Sequence, residues 1–321
     1  MPDTDFLSVK DLHVEYTSSD IPIYAVNGVS FDLKKGASLG LVGETGAGKS
    51  SIAKAILRIL PDISTRAVSG EVLFEGRDLL AIPEKEMLKV RGSKISMIHQ
   101  DPMTALNPIH SVGEQIMEAY QIHNNVNKKQ AMEKAMEMLR MVGITEERFV
   151  NYPFEFSGGM KQRIVIAIAL ACNPELILAD EPTTALDVTI QAQVLDLIMN
   201  LREQFGTSMI LITHDLGVVA ECCDDVAVVY AGQIVEKGNK YQIFDNPSHP
   251  YTKGLFNSLP SMARGKHRLT PIPGTLPDPS HLPTGCFFSP RCPLADDKCR
   301  KEPVGVTDIG DGHLCRCLKI D

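Results

Sequence analysis

Three things are missing from this 321-residue chain. It has no long apolar run: the longest uncharged one, Ile164 to Cys172, falls far short of the roughly 20 residues a bilayer-spanning helix needs. It shows no secretory leader, because Met1 to Asp11 carries Asp3, Asp5 and Asp11 against a single Lys10 and no apolar core follows. It has no basic excess, since 32 Lys and Arg against 40 Asp and Glu leave a net charge of −8. A nucleic-acid binder usually carries the opposite field, so no nucleic-acid partner is expected. These absences predict a soluble or peripheral cytosolic protein. Apolar content of 44% and charged content of 22% are those of a globular chain long enough for a large core and more than one domain. Eight cysteines in a reducing compartment argue against a disulfide framework and toward metal binding or buried thiols.

What is present begins with Leu41 to Ser51, which from Gly43 fits the P-loop pattern G-x-x-x-x-G-K-S/T. The predicted phosphate cradle is Gly43, Glu44, Thr45, Gly46, Ala47, Gly48, Lys49, Ser50 and Ser51. The glycines let backbone N–H groups turn inward where side chains would block a phosphate. Lys49 can reach β- and γ-phosphates, and the Ser50 hydroxyl can ligate Mg²⁺. The preceding Ser38 to Val42 reads as a strand and the following Ser50 to Leu60 as a helix, whose N-terminus favours an anion.

Around this loop the chain reads as an α/β protein. Residues 6–35 alternate as antiparallel strands. An aromatic there could stack on a nucleotide base, Tyr16 by first choice and Tyr24 by second. Glu71 to Phe74 and Lys94 to His99 are further strands, the latter leading to Gln100, and Ala81 to Arg91 reads as a helix. From about 101 to 160 the pattern turns helical, with Val112 to His123 and Lys128 to Val142 as its helices and methionines as filler. Ser157, Gly158 and Gly159 then open an apolar helix, a second N-terminus fit for an anion. Leu176 to Glu181 is a continuously apolar strand that ends in two carboxylates, as a buried parallel strand does. Asp180 is placed to hold Mg²⁺ through water and Glu181 to polarise an attacking water. Thr189 to Phe205 is helical. Met209 to Thr213 is the next buried strand, and it delivers His214 to the end where ligands bind in open α/β sheets. Val226 to Tyr230 and Gln233 to Glu236 close as a hairpin.

Gly43–Ser50, Gln100, Ser157-Gly158-Gly159, Asp180-Glu181 and His214 in this order resemble the ATP-binding subunit of an ABC transporter over essentially the whole chain. The resemblance implies a P-loop NTPase (ABC ATPase) core with an antiparallel β subdomain and an α-helical subdomain. Gly43 to Ser50 is similar to Walker A, Gln100 to the Q-loop, and Phe156 to Met160 to the signature motif. Asp180 is similar to the Walker B aspartate, Glu181 to the catalytic glutamate, Ala185-Leu186-Asp187 to the D-loop and His214 to the switch histidine. ATP with Mg²⁺ on Ser50, Gln100 and Asp180 is implied. The signature reads Phe-Ser-Gly-Gly-Met, and it retains the serine and both glycines.

Asn246 to Thr252, Ile272-Pro273-Gly274 and Cys286 to Pro293 resemble the C-terminal extension of oligopeptide and dipeptide importer ATPases. The implied division is a nucleotide-binding domain over 1–257 and an irregular, cysteine-bearing extension over 258–321. Cys286, Cys292 and Cys299 with either Cys315 or Cys317 offer four thiolates, which chemically suit either an iron–sulfur cluster or Zn²⁺, and chemistry alone leaves the fourth open. The spacing is wider than the usual zinc pattern. In the resembling family such cysteines ligate a 4Fe-4S cluster, and its His-x-x-x-Cys spacing, met by His313 and Cys317, selects Cys317. Cys172, Cys222 and Cys223 read as structural. The function implied is ATP hydrolysis driving di- or oligopeptide import at the cytoplasmic face of the membrane. The implied partners are a second, homologous ATPase subunit or a second copy, two permease subunits and an extracytoplasmic peptide-binding protein. A nickel or other small-solute importer is the alternative within the family. A soluble ABC ATPase acting on nucleic acid or ribosomes predicts two cassettes or a long coiled-coil insertion, and neither is in the sequence. A binding module without turnover is disfavoured by Glu181 and His214.

Overall fold

Period-two alternation near the start builds two long strands, β1 (Leu7–Ser18) and β2 (Ile21–Leu33), paired antiparallel with Leu7 opposite Leu33. The computed structural model describes residues 6–184, 186–258 and 271–320. β3 (Ser38–Val42) is buried at all five positions and leads through the glycine loop into α1 (Lys49–Ile56). That helix stops short of the expected Leu60, because Arg58 takes a φ of 52° and Pro61 follows. β4 (Thr65–Phe74) is longer than expected, since β1 pairs with it from Leu7–Phe74 to Tyr16–Thr65. With the short β5 (Arg77–Asp78) it completes an antiparallel sheet in the order β2-β1-β4-β5.

There follow α2 (Glu84–Val90), β6 (Ile95–Ile98) and α3 (Pro102–Ala105). α4 (Val112–His123) and α5 (Lys128–Met141) each begin at a capping box, Ser111 with Glu114 and Asn127 with Gln130. α6 (Gly158–Leu170) is capped by Ser157, and β7 (Leu176–Asp180) is wholly buried. α7 (Val188–Phe205) is capped by Asp187 and ended by Gly206 in the left-handed region; the buried β8 (Ser208–Thr213) follows. The chain continues with α8 (Leu216–Cys222), β9 (Asp225–Tyr230), β10 (Gln233–Asn239), α9 (Lys240–Asp245) and α10 (Pro250–Asn257). The tail contributes α11 (Asp297–Lys301), β11 (Thr307–Asp308) and β12 (Leu314–Cys315).

These elements form two compact units. One holds residues 6–33, 39–80 and the described part of 213–320. In it β3 runs parallel to β9, β10 closes antiparallel on β9, and β12 adds antiparallel to β10. From residue 271 the tail belongs to this unit, together with β3 and α1; the connector at 259–270, beside the expected boundary at 257/258, lies outside the described residues. The other unit holds Lys34–Ser38 and Ala81–Ile212. In it β6, β7 and β8 pair in parallel, with Ile95 opposite Leu176 and Asp180 opposite Ile212, and α4, α5 and α6 pack together.

A buried carboxylate fastens the tail within the first unit. Glu236 on β10 is fully buried and accepts from the N–H groups of Ser248 at 2.6 Å and His249 at 3.0 Å, and from His313 Nε2 at 2.8 Å. His249 is 1% exposed, its Nδ1 accepts from the Tyr251 N–H at 3.0 Å, and burial pushes its pKa down to about 3. The unfolded chain takes up that proton near pH 6.5, while the folded chain resists until about pH 3. Below pH 6.5 the unfolded state therefore binds more protons, and stability falls with pH by up to about 1.4 kcal/mol per unit from this group. His249→Asn, which keeps an acceptor for the Tyr251 N–H, is expected to flatten the fall in midpoint between pH 7 and 4 in urea titrations relative to the parent protein. Parallel curves would remove His249 from the acid response.

Candidate functional site

The loop between β3 and α1 is shaped by backbone contacts that only glycine tolerates. Gly43 has a φ of 156°, and a Cβ there would sit 2.1 Å from the Val229 carbonyl oxygen. Gly48 has a φ of 99°, and its Cβ would sit 2.3 Å from the Ala25 carbonyl oxygen. Gly48 is also the N-cap of α1 and makes no side-chain cap hydrogen bond. The outcome is a backbone cradle at a helix N-terminus, the chemistry a phosphate chain requires. Lys49 is 5% exposed, and its Nζ donates to the carbonyls of Gly43 at 2.8 Å and Glu44 at 3.1 Å, so the cation lies inside the loop. Tyr16 is half-buried on β1 and its hydroxyl donates to Ser51 Oγ at 3.0 Å, which holds the ring beside the first turn of α1. His214 is exposed just past β8, where the Asp215 carboxylate caps α8 by accepting from the Gly217 and Val218 N–H groups.

In the second unit β7 ends at Asp180, 4% exposed, and the next residue leaves the strand abruptly. Glu181 takes a φ of 44° while its N–H donates to the Ile212 carbonyl at 2.8 Å. A non-glycine residue in that region stores strain that the surrounding structure must hold. Two donors converge on its Oε2: Gln100 Nε2 at 3.0 Å and Thr184 Oγ1 at 2.8 Å. Gln100 and Glu181 thus meet across 81 positions of sequence, while Thr184, with no motif of its own, is the partner that sequence reasoning missed. Ser157 Oγ accepts from the Met160 N–H at 3.4 Å and caps α6. Gly158 is exposed; a Cβ on Gly159 would strike Ile190 at 2.5 Å, so this glycine also lets α6 and α7 approach. Ala185 lies outside the described residues.

Glu44 has a role that its place in the loop pattern does not announce. Its N–H donates to Tyr251 Oη at 3.0 Å. Its carboxylate takes a fork from Arg291, Nη1 to Oε2 at 2.7 Å and Nη2 to Oε1 at 3.0 Å. The Arg291 side chain is 5% exposed, and the Glu44 carboxylate holds its pKa above the usual guanidinium value. Nε of the same arginine donates to the Pro273 carbonyl at 2.8 Å. Phe288 packs on Tyr230 and Tyr251 with ring centres 5.2 and 5.4 Å apart. The segment between Cys286 and Cys292 is thereby clamped to the phosphate loop.

None of the eight cysteines, all among the described residues, is in a disulfide. Burial pushes Cys286, Cys292 and Cys317 up, and neighbouring thiols of the set Cys286, Cys292, Cys299 and Cys317 add to each rise. The four therefore sit within electrostatic reach of one another, although among the described residues no group of three or more His, Cys, Asp or Glu side chains is gathered as a ready metal site. Cys315 is fully buried within β12, opposite Glu236 of β10, and its thiol is raised by burial and by that carboxylate. The donor set fits a thiolate-ligated group in kind without being drawn into a closed shell.

Arg291→Ala would leave the Glu44 carboxylate without its fork. Because Glu44 keeps 30% exposure, the expected loss sits at or below the low end for broken buried pairs, about 2–3 kcal/mol in urea unfolding, with Arg291→Lys recovering only part. A loss below about 0.5 kcal/mol would reduce the fork to an ordinary surface pair.

Comparison with known proteins supplies the family. Residues 26–184 match the family model for the ABC transporter, and residues 235–299 match that for the oligopeptide/dipeptide transporter C-terminal region. The chain is 51% identical over 316 residues to a probable peptide ABC transporter ATP-binding protein of Sinorhizobium fredii, covering 98% of this chain and 94% of that one. It is 50% identical to the dipeptide transport ATP-binding protein DppD of Bacillus subtilis (97% and 93% covered) and 48% identical to the oligopeptide transport ATP-binding protein OppD of Escherichia coli (98% and 93%). A dimeric ATP-binding cassette solved in a post-hydrolysis state with ADP and phosphate superposes with a TM-score of 0.65 at 26% identity, over 73% of this chain and 98% of that one. Among the described residues no helix is long and apolar enough to cross a membrane. The chain belongs to the ABC transporter family of ATP-binding subunits, in the group that carries the oligopeptide/dipeptide transporter C-terminal region, and it is an ATPase.

Proposed function

We propose that this chain powers the import of di- or oligopeptides, as a peripheral subunit on the cytoplasmic face of a membrane transporter. The observation that carries the reading is the near-complete match, at about half identity, to peptide-transport ATP-binding proteins, tail included. The partners proposed with it are a homologous ATPase subunit or a second copy, two permeases and an extracytoplasmic peptide-binding protein. ATP favours the closed dimer over the open one, and its hydrolysis releases that bias.

The chain's own residues divide the work. The backbone cradle from Gly43 to Ser51 holds the phosphates, Lys49 neutralises them and Tyr16 takes the base. Ser50, Gln100 and Asp180 would hold Mg²⁺, which supplies charge neutralisation of the transferring phosphoryl group. Glu181, held by Gln100 and Thr184, orients the attacking water and accepts its proton. His214 belongs with this set, and Ser157, Gly158 and Gly159 complete the site of a partner subunit. In the tail, Cys286, Cys292, Cys299 and Cys317 would hold a 4Fe-4S cluster, a staple for a segment with little core of its own.

Glu181→Gln is expected to retain ATP binding, lower steady-state phosphate release about a hundredfold or more, and accumulate an ATP-bound dimer on size exclusion. Unchanged turnover removes Glu181 from catalysis. Lys49→Ala is expected to weaken ATP binding about tenfold or more by calorimetry; equal affinity sinks the phosphate-site assignment. Protein purified without oxygen is expected to carry about four irons with broad visible absorption that Cys317→Ser removes and Cys315→Ser spares. Stoichiometric zinc without iron excludes the cluster. Deletion of the gene is expected to abolish uptake of a labelled dipeptide and spare nickel uptake, and the reverse pattern selects the small-solute reading.

A further inference from the structure

We propose that the C-terminal extension forms one wall of the nucleotide base pocket, so that the segment from Leu276 to Leu282 sets ATP affinity. The inference rests on the ATP-site reading above and goes beyond it, because that reading needs only the glycine loop and an aromatic side chain.

Three observations in the first unit converge. A cavity of about 460 Å³ opens beside the phosphate loop, lined by Tyr16, Tyr24 and Gly46 on one side and by Leu276, Pro277 and Leu282 on the other. Its size falls within the ordinary range of small-ligand sites, about 300–1,000 Å³. Gly46 belongs both to this lining and to the cradle, so a triphosphate seated in the loop has its nucleoside end directed to a space that already exists. Across from Gly46 stands Leu276, whose Cδ1 would be 3.8 Å from a Cβ at that glycine.

The wall is fixed rather than merely adjacent. The Tyr24 N–H donates to the Pro279 carbonyl at 2.9 Å, which ties the segment to β2 at one of the two candidate stacking residues. At its other end Arg291 donates to the Pro273 carbonyl at 2.8 Å while gripping the Glu44 carboxylate, so one guanidinium sets both the phosphate loop and the approach to Leu276. The charged group in the lining is turned to local duty: Asp278 accepts from the Ser280 N–H at 2.8 Å and from its hydroxyl at 2.6 Å, and those bonds hold its carboxyl below the usual range. The tail's share of the lining is therefore mostly carbon, from Leu276, Pro277, Pro279 and Leu282 beside Asp278. A largely apolar cavity between aromatic and aliphatic side chains suits a purine ring, which gains by stacking and by losing water.

The test uses the full-length protein with Mg²⁺ and two probes, ATP and inorganic tripolyphosphate, which has the phosphates without the base. Leu276→Ala is expected to weaken ATP binding about five- to tenfold and to leave tripolyphosphate binding within about twofold, with the kinetic loss in KM rather than kcat. Leu276→Met is expected to restore most of the affinity. Equal weakening toward both probes overturns the proposal, because the tail would then only prop the loop. Unchanged ATP affinity in Leu276→Ala also overturns it. Lys49→Ala separates this proposal from its basis: it should weaken both probes together, and if it weakens neither, the ATP-site reading falls and the proposal with it.

Discussion

The fork between Arg291 and Glu44 joins residues 247 positions apart, and the arrangement around the phosphate loop depends on it. A carboxylate inside a phosphate-binding loop is an electrostatic liability, since it faces the same anion the loop must attract. Here that charge is turned away and neutralised by a guanidinium that is itself almost fully buried. The N–H of Glu44 is taken by Tyr251 and its carboxylate by Arg291, so the loop is held from behind by α10 and by the segment that bears the cysteines. Removing either partner leaves an uncompensated charge, which is why such a pair constrains more strongly than its net contribution suggests.

The same economy governs the acidic end of β7. Strand pairing carries Asp180 to the sheet edge in register with Ile212, and the strained turn at Glu181 re-aims the next side chain. Gln100 and Thr184 then fix the position of the carboxylate by donating to its Oε2. A fixed position is what the role proposed for Glu181, taking a proton from water, requires. The strain at Glu181 is therefore read as part of the site and not as a fault of the strand end.

Much of this was legible in the sequence because the signals were local. The glycine loop, the continuously apolar β7 and β8, and the capped helices α4 to α7 each declare themselves within a few residues. Two boundaries moved for different reasons: β4 begins at Thr65 because a distant partner, β1, reaches that far, and α1 ends at Ile56 because Arg58 turns locally. The tail was the least legible part. Its strands are two residues long, its ties to the core run through Glu236, His313 and Arg291, and no periodicity marks a contact made by one side chain. Thr184 escaped for the same reason. Tyr16 and Tyr24 both line the cavity beside the glycine loop, and Tyr16 has the added bond to Ser51.

A nucleotide-binding loop and a C-terminal extension that act as one assembly is the central claim. Hydrogen exchange on the full-length protein, with and without Mg-ATP, tests it most directly. The account predicts that ATP slows exchange in peptides covering 41–51 and also in those covering 271–292, with both effects saturating at the same ATP concentration. Protection confined to the loop, with the tail exchanging at its ATP-free rate, would contradict it.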